Sequence, residues 1–295
     1  MNHKLISLFF IVLVASCNKD DDIVIDAPDG PDDPGVSATV SPLNFSVTEY
    51  LPAPGQYINE NVSGFNDIYT MDEACRQAEK RLQSQNYVSL GAWGGTIIVK
   101  FKHAVLNNRE FNFAIAGNSF DTSNEPGIVC VMNDENNNGE PDDVWYELKG
   151  SYYGKEGYQR NYWVTYFRPE PGKNTLWKDC DGKEGYVNWL GSYHNQDYYY
   201  PNWIKPDSYT LHGTRLPLMA EKDPNTGIWS NPPFEWGYVD NQGKDVVKVK
   251  VNDKEIEANA FRISDAIDEN GNEIKLDKID FIKVQTAING DTNIL

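Results

Sequence analysis

The sequence predicts a mainly β fold, an antiparallel β-sandwich of jelly-roll-like form with one short helix near residues 71–84. Three observations predict it. Short runs rich in β-branched and aromatic residues recur between clusters of Gly, Asn and Asp. Several of these runs alternate with period two, as a sheet with one buried face requires. No strand–helix–strand alternation appears, nor any repeat of solenoid or propeller period.

From the N-terminus, Lys4 precedes an apolar stretch, Leu5 to Val14, far shorter than the ~20 residues of a membrane-spanning helix. The small residues Ala15 and Ser16 then lead to Cys17. This order resembles a bacterial lipobox, which implies a signal peptide of residues 1–16 and an acylated (palmitate-bearing) Cys17 as the first mature residue. The following Lys19-Asp20-Asp21-Asp22 resembles the export signal of Bacteroidetes surface lipoproteins. The resemblance implies a lipid anchor in the outer membrane and a chain that faces the cell exterior. Residues 17–36, rich in Asp, Pro and Gly, offer too little apolar surface to offset ordering and read as an acidic tether. Residues 37–295 read as a single β-sandwich domain.

The helix follows from a capping box, in which Thr70 caps and Glu73 stands three residues on, ahead of Ala74, Ala78 and Leu82 at helical spacing. The strand-like runs are 96–101, 110–115, 127–132, 246–251 and 278–284. Net charge is -18, with two Lys and seven Asp in the first 36 residues. Nucleic acid and anionic lipid surfaces need clustered Lys and Arg, so neither is a partner. Beyond Cys17 the cysteines are Cys75, Cys130 and Cys180, with no CxxC pair, so neither a zinc site nor a redox motif is indicated. One disulfide among the three is left open.

The sharpest chemical motif runs from Asp134 to Asp143 (Asp-Glu-Asn-Asn-Asn-Gly-Glu-Pro-Asp-Asp). Oxygen-bearing side chains at alternate positions, with Gly139 at the turn, suit a hard cation that takes 6–8 oxygen ligands. Asp134, Asn136, Asn138 and Asp142 would supply side chains, Glu140 its carbonyl, and Asp143 a further carboxylate to calcium. The first half resembles an EF-hand loop, although Trp145 stands where the closing Glu would be. The Asp142-Asp143 ending resembles the calcium loops of dockerins and thrombospondin type 3 repeats. An Asn/Asp-rich turn without metal is the alternative. Asp268 to Glu273 is shorter and reads as a hairpin turn.

Between Ser151 and Tyr209 lie eleven Tyr, four Trp and one Phe, sixteen of the 37 aromatic residues of the chain. Neighbouring strand residues point to opposite faces, so the run from Tyr198 to Trp203 cannot bury every ring. Trp189, Tyr193, Tyr198, Tyr199, Tyr200 and Trp203 are expected to be exposed and to bind ligand. Trp163, Tyr166 and Phe167 are expected in the core. No HExxH, GxSxG or P-loop pattern occurs, so the reading is non-enzymatic. A glycosidase pair could still arise in space, with Glu125 and Glu235 the first carboxylates to inspect. His194 is a surface histidine able to contact ligand.

Residues 49–60 (Glu-Tyr-Leu-Pro-Ala-Pro-Gly-Gln-Tyr-Ile-Asn-Glu), 89–95 (Ser-Leu-Gly-Ala-Trp-Gly-Gly), 113–120 with Glu125-Pro126-Gly127, 261–267 and 279–285 together resemble a Bacteroidetes family of cell-surface lipoproteins. The strand pattern resembles galactose-binding-like jelly rolls more distantly. Members of that family are often encoded beside vitamin B12 uptake genes. The resemblance implies capture of a nutrient, first a corrinoid, for an outer-membrane transporter complex. Glycan binding is the alternative, and a glycan-active enzyme or an adhesin stands behind it. A corrin macrocycle with amide arms would suit rings that offer both stacking faces and polar edges.

Overall fold

A computed structural model describes residues 44–227, 229–251 and 254–289, and the backbone alone of 14–15 and 37–39. Among the described residues the chain is mainly β, as the sequence predicts, with one α-helix and sheets that are antiparallel except where residues 37–39 pair parallel to 248–250. The strands are β1 (Val14–Ala15), β2 (Ser37–Thr39), β3 (Phe45–Leu51), β4 (Thr96–Leu106), β5 (Phe113–Ile115), β6 (Gly127–Met132), β7 (Tyr146–Leu148), β8 (Gln159–Phe167) and β9 (Thr175–Asp179). They continue with β10 (Glu184–Val187), β11 (Ser208–Arg215), β12 (Glu221–Lys222), β13 (Trp229–Ser230), β14 (Val246–Val251), β15 (Lys254–Phe261), β16 (Ala266–Ile267) and β17 (Lys278–Thr286). Cys17, the rest of the leader and the tether lie outside the described residues.

The largest sheet has the order β16-β7-β6-β17-β4-β3, with β17 at its centre between β4 and β6. In β17, Phe281 and Ile282 point to opposite faces and both are buried. Ile282, opposite Val99 and Val131, joins the main core; Phe281 joins Ile98, Met132 and Trp145 in a small cluster on the other face. A four-stranded sheet, β10-β9-β8-β11, contributes Tyr162, Val164, Tyr166, Trp177 and Leu211 to that same main core. Two sheets thus share one apolar interior, the defining relation of a sandwich.

Polar contacts stitch this interior. Tyr166 Oη donates to the Trp93 carbonyl (2.8 Å), the Trp93 and Tyr162 rings meet edge to face at 4.7 Å, and Thr214 Oγ1 donates to the buried Glu147 (2.5 Å). A third sheet, β1-β5-β15-β14-β2, carries its own cluster around Val247, Val249 and Ala258.

Helix α1 (Met71–Gln83) has the predicted capping box, with Thr70 Oγ1 accepting from Glu73 N and Glu73 Oε2 accepting from Thr70 N. Its buried face is Ala74, Cys75, Ala78 and Leu82, of which the small Ala74, Cys75 and Ala78 let the helix lie close on β3. The strand predicted over 110–115 is shortened to β5; at its start Asn112 N donates to the Phe261 carbonyl (2.9 Å), while its side chain bonds to the backbone of Leu106 and Ile263. Cys75, Cys130 and Cys180 are all free thiols, which closes the disulfide question for them.

Two of the rings assigned to the core are corrected. Strand alternation sends Tyr166 inward with Tyr162 and Val164, but turns Trp163 and Phe167 onto the opposite face, where both are half-buried.

Candidate functional site

Of the six aromatic residues expected to be exposed, three are not. Tyr199, Tyr200 and Trp203 retain only 2%, 0% and 5% of their surface. Each buries its polar atom against a defined partner, which is how a Tyr or Trp enters a core without loss. Tyr199 Oη accepts from Leu190 N (2.9 Å) and donates to the His194 carbonyl (3.0 Å). Tyr200 Oη donates to the Pro206 carbonyl (2.7 Å) beneath the Arg168 guanidinium, 4.2 Å from the ring centre. Trp203 Nε1 donates to the Tyr50 carbonyl (3.2 Å) and its ring stacks on Tyr50 at 5.5 Å. Burial pushes the Tyr199 and Tyr200 hydroxyls up to about 12, so both remain neutral donors. Trp189 and Tyr198 are half-buried, and Tyr193 alone of the six stands 82% exposed.

These residues belong to a cap, residues 188–204, tied to the loop that follows β3. The Asn59 side-chain amide donates to the carbonyls of Tyr198 (2.9 Å) and Tyr200 (2.8 Å), while its oxygen accepts from Asn202 N (3.0 Å). Gln196 Nε2 donates to the carbonyls of Gln56 (2.6 Å) and Ile58 (2.9 Å). Gly91, at φ +72°, brings the 89–95 segment against the same loop, and Ala92 N donates to the Pro54 carbonyl (3.1 Å). The sequence segment 49–60 therefore lies between the 89–95 segment and the cap, bonded to both.

That junction assembles a constellation. Glu60 Oε1 accepts from His194 Nδ1 at 2.8 Å, and the Tyr57 ring stands edge-on to the imidazole at 4.8 Å. Glu60 and His194 side chains are 16% and 15% exposed. With Nδ1 held by the carboxylate, Nε2 is the nitrogen left for a ligand. Burial raises the Tyr57 hydroxyl above the ordinary tyrosine range, and the carboxylates of Glu60 and Glu125 raise it further. Glu125 is buried beside Asp240, whose carbonyl accepts from Glu125 N (3.2 Å). Glu235 is exposed and bonded to Lys244 Nζ at 2.7 Å. Tyr57 and Glu60 received no role from the sequence; with Glu60 and His194 134 positions apart, no local spacing pairs them.

The Asp134–Asp143 loop joins β6 to β7 and folds around its own oxygens. Asp134 accepts from Asn138 N (3.1 Å) and Gly139 N (2.9 Å), Asn138 Oδ1 from Glu140 N (2.7 Å), and Asp143 from Glu135 N (2.9 Å). The amides of Asn136 and Asn138 both reach Asp142, at 3.2 and 2.9 Å. The side chains of Asp134, Asn136, Asn138, Asp142 and Asp143 are thus gathered into one loop, with left-handed turns at Asn137 and Gly139. Among the described residues no group of three or more His, Cys, Asp or Glu is placed to hold a metal ion. A cation here would need the Asn side-chain oxygens and backbone carbonyls as well, the oxygen set calcium accepts. Asp268 instead closes a hairpin turn, accepting from Asn270 N (2.9 Å) and Asn272 N (2.8 Å).

A separate cleft between Phe111, Lys149, Trp236 and Arg262 holds ≈ 160 Å³, below the ~300–1,000 Å³ of ordinary small-molecule pockets. Among the described residues no helix is long and apolar enough to cross a membrane. No protein-family model matches this chain, and no curated protein does.

Proposed function

We propose that this chain is a non-enzymatic lipoprotein, anchored through Cys17 and displayed on the outside of the outer membrane, that captures a nutrient for a transporter complex. The anchor and address rest on the lipobox-like sequence and the acidic residues after it. The capture site is the loop junction. The observation that carries this reading is the Glu60–His194 pair with Tyr57 against it and Tyr193 open beside it. The junction is presented by loops on a rigid scaffold, the usual place for recognition.

A corrinoid is the leading ligand. Its planar macrocycle would meet the faces and edges of Tyr57 and Tyr193, its amide arms the acceptors of Glu60, and its metal the remaining imidazole nitrogen of His194, oriented by a carboxylate as ligating histidines usually are. Calcium in the 134–143 loop would neutralise its carboxylates and stiffen the β6–β7 connection. Titration calorimetry of the mature chain with cobalamin tests the ligand: saturable heat that vanishes in His194→Ala is expected, and no heat in the wild type would overturn the corrinoid reading.

A further inference from the structure

We propose a second binding surface, distinct from the loop junction: the outer face of the β10-β9-β8-β11 sheet, shaped for a neutral, extended glycan. Strand register defines it. Burial of Tyr162, Val164 and Tyr166 on β8 forces Trp163, Thr165 and Phe167 onto the other face, and burial of Leu211 on β11 does the same for Thr210 and His212. Cross-strand pairing then lines up three rungs. Trp163 lies opposite His212. Thr165 lies opposite Thr210 on one side and Lys178 on the other, with Glu184 beyond Lys178. Two residues further along, Phe167 lies opposite Ser208, and Tyr186 opposite Leu176.

Successive rungs are ~6.8 Å apart and neighbouring strands ~4.8 Å, so rings on the first and third rungs flank a band of polar side chains. In that band the hydroxyls of Thr165 and Thr210 bond to each other at 2.7 Å and Lys178 pairs with Glu184 at 3.0 Å. Trp163 and Phe167 are half-buried, and Tyr186 is 53% exposed.

This alternation selects the occupant. A pyranose chain offers apolar C–H faces for the rings and hydroxyl edges for the threonines, lysine and glutamate between them. A protein partner would bury a continuous apolar centre with its charges at the rim, yet here an ion pair and a hydroxyl pair lie between the ring-bearing rungs. The ion pair leaves the band without net charge, although the whole chain carries -18. A neutral polymer fits such a surface better than an anionic one, which the protein's field would repel.

Affinity electrophoresis of the mature chain in gels containing amylopectin, barley β-glucan, galactomannan or dextran tests the proposal with no corrinoid present. At least one of these polymers is expected to retard the wild type. Trp163→Ala and Tyr186→Ala are each expected to weaken that retardation, by about tenfold at most for one ring, while Leu106→Ala, exposed on another strand, is the control. Tyr186 is exposed enough that its removal tests the face even if the Trp163 variant unfolds, and circular dichroism checks both. Retardation by none of the polymers, or equal weakening in the control, would overturn the assignment. Since the gel contains no corrinoid and the calorimetry no polymer, either site can fail alone.

Discussion

Glu60 and His194, 134 positions apart in the chain, are joined by a hydrogen bond of 2.8 Å between a carboxylate oxygen and Nδ1. The bond fixes the imidazole so that Nε2 is the nitrogen free for a ligand. If this pair organises the capture site, Glu60→Gln is expected to weaken cobalamin binding by roughly tenfold, the loss of about 1.4 kcal/mol, while His194→Ala abolishes it. Calorimetry on both variants, with unfolding curves as a fold check, reads the result. Equal binding by all three proteins would remove the pair from the site.

Calcium is expected to raise the melting temperature of the mature chain. A ligand at ten times its Kd adds about 1.4 kcal/mol, a rise of a few degrees in a chain of this size. Asp134→Ala removes both a proposed ligand and the bonds to Asn138 N and Gly139 N, so the variant is expected to melt lower and to ignore calcium. A wild type that melts identically in calcium and in chelator would mark the loop as a turn only.

Asp240 is expected to make stability fall as pH rises. Burial pushes its carboxyl up to about 7, against the pull of two backbone donors, Asn118 N (2.6 Å) and Ser119 N (2.7 Å). A folded-state pKa above the unfolded one means that the native state holds the extra proton. The contribution is therefore complete below the ordinary Asp range, near 3.8, and is lost as pH climbs through about 7. Asp240→Asn keeps an acceptor oxygen and removes the titration, so its melting temperature is expected to be flatter than wild type between those limits. Parallel pH profiles for the two proteins would refute this.

Gly91→Ala is expected to be severely destabilising. A Cβ there would lie 2.0 Å from the Ala53 carbonyl oxygen, and φ is +72°. The strain falls on the contact that holds the 89–95 segment to the 52–60 loop, so ligand binding should fail with it. An unfolding free energy from denaturant curves lower than wild type by at least a few kcal/mol is expected; an unchanged midpoint would refute the close approach.

Thr70→Ala tests the helix. It removes the acceptor for Glu73 N, and a cost of about 1 kcal/mol is expected.

Much of the fold was legible because it is local. The capping box around Thr70 and Glu73, the apolar run of β6 and the period-two strand β14 follow from neighbouring residues, and the structure places them at the predicted positions. The exposure of individual rings was not legible. Tyr199, Tyr200 and Trp203 sit among Asn and Pro like surface residues, yet Asn59 and Gln196 draw their backbone against a distant loop and bury them. Trp163 and Phe167 read as core because they are large, but inward Tyr162, Val164 and Tyr166 set the phase of β8, and a strand has only two faces.

The sequence by itself determined a mainly β chain with one capped helix, an oxygen-rich loop at 134–143 and an unusual store of aromatic rings, since each depends on residues near one another. Only the tertiary structure decided which rings reach solvent, that the three described cysteines stay apart, and that Glu60 meets His194. Those outcomes depend on strand phase and on contacts across more than a hundred residues, where burial and hydrogen-bond satisfaction in the whole fold outweigh the character of any one segment.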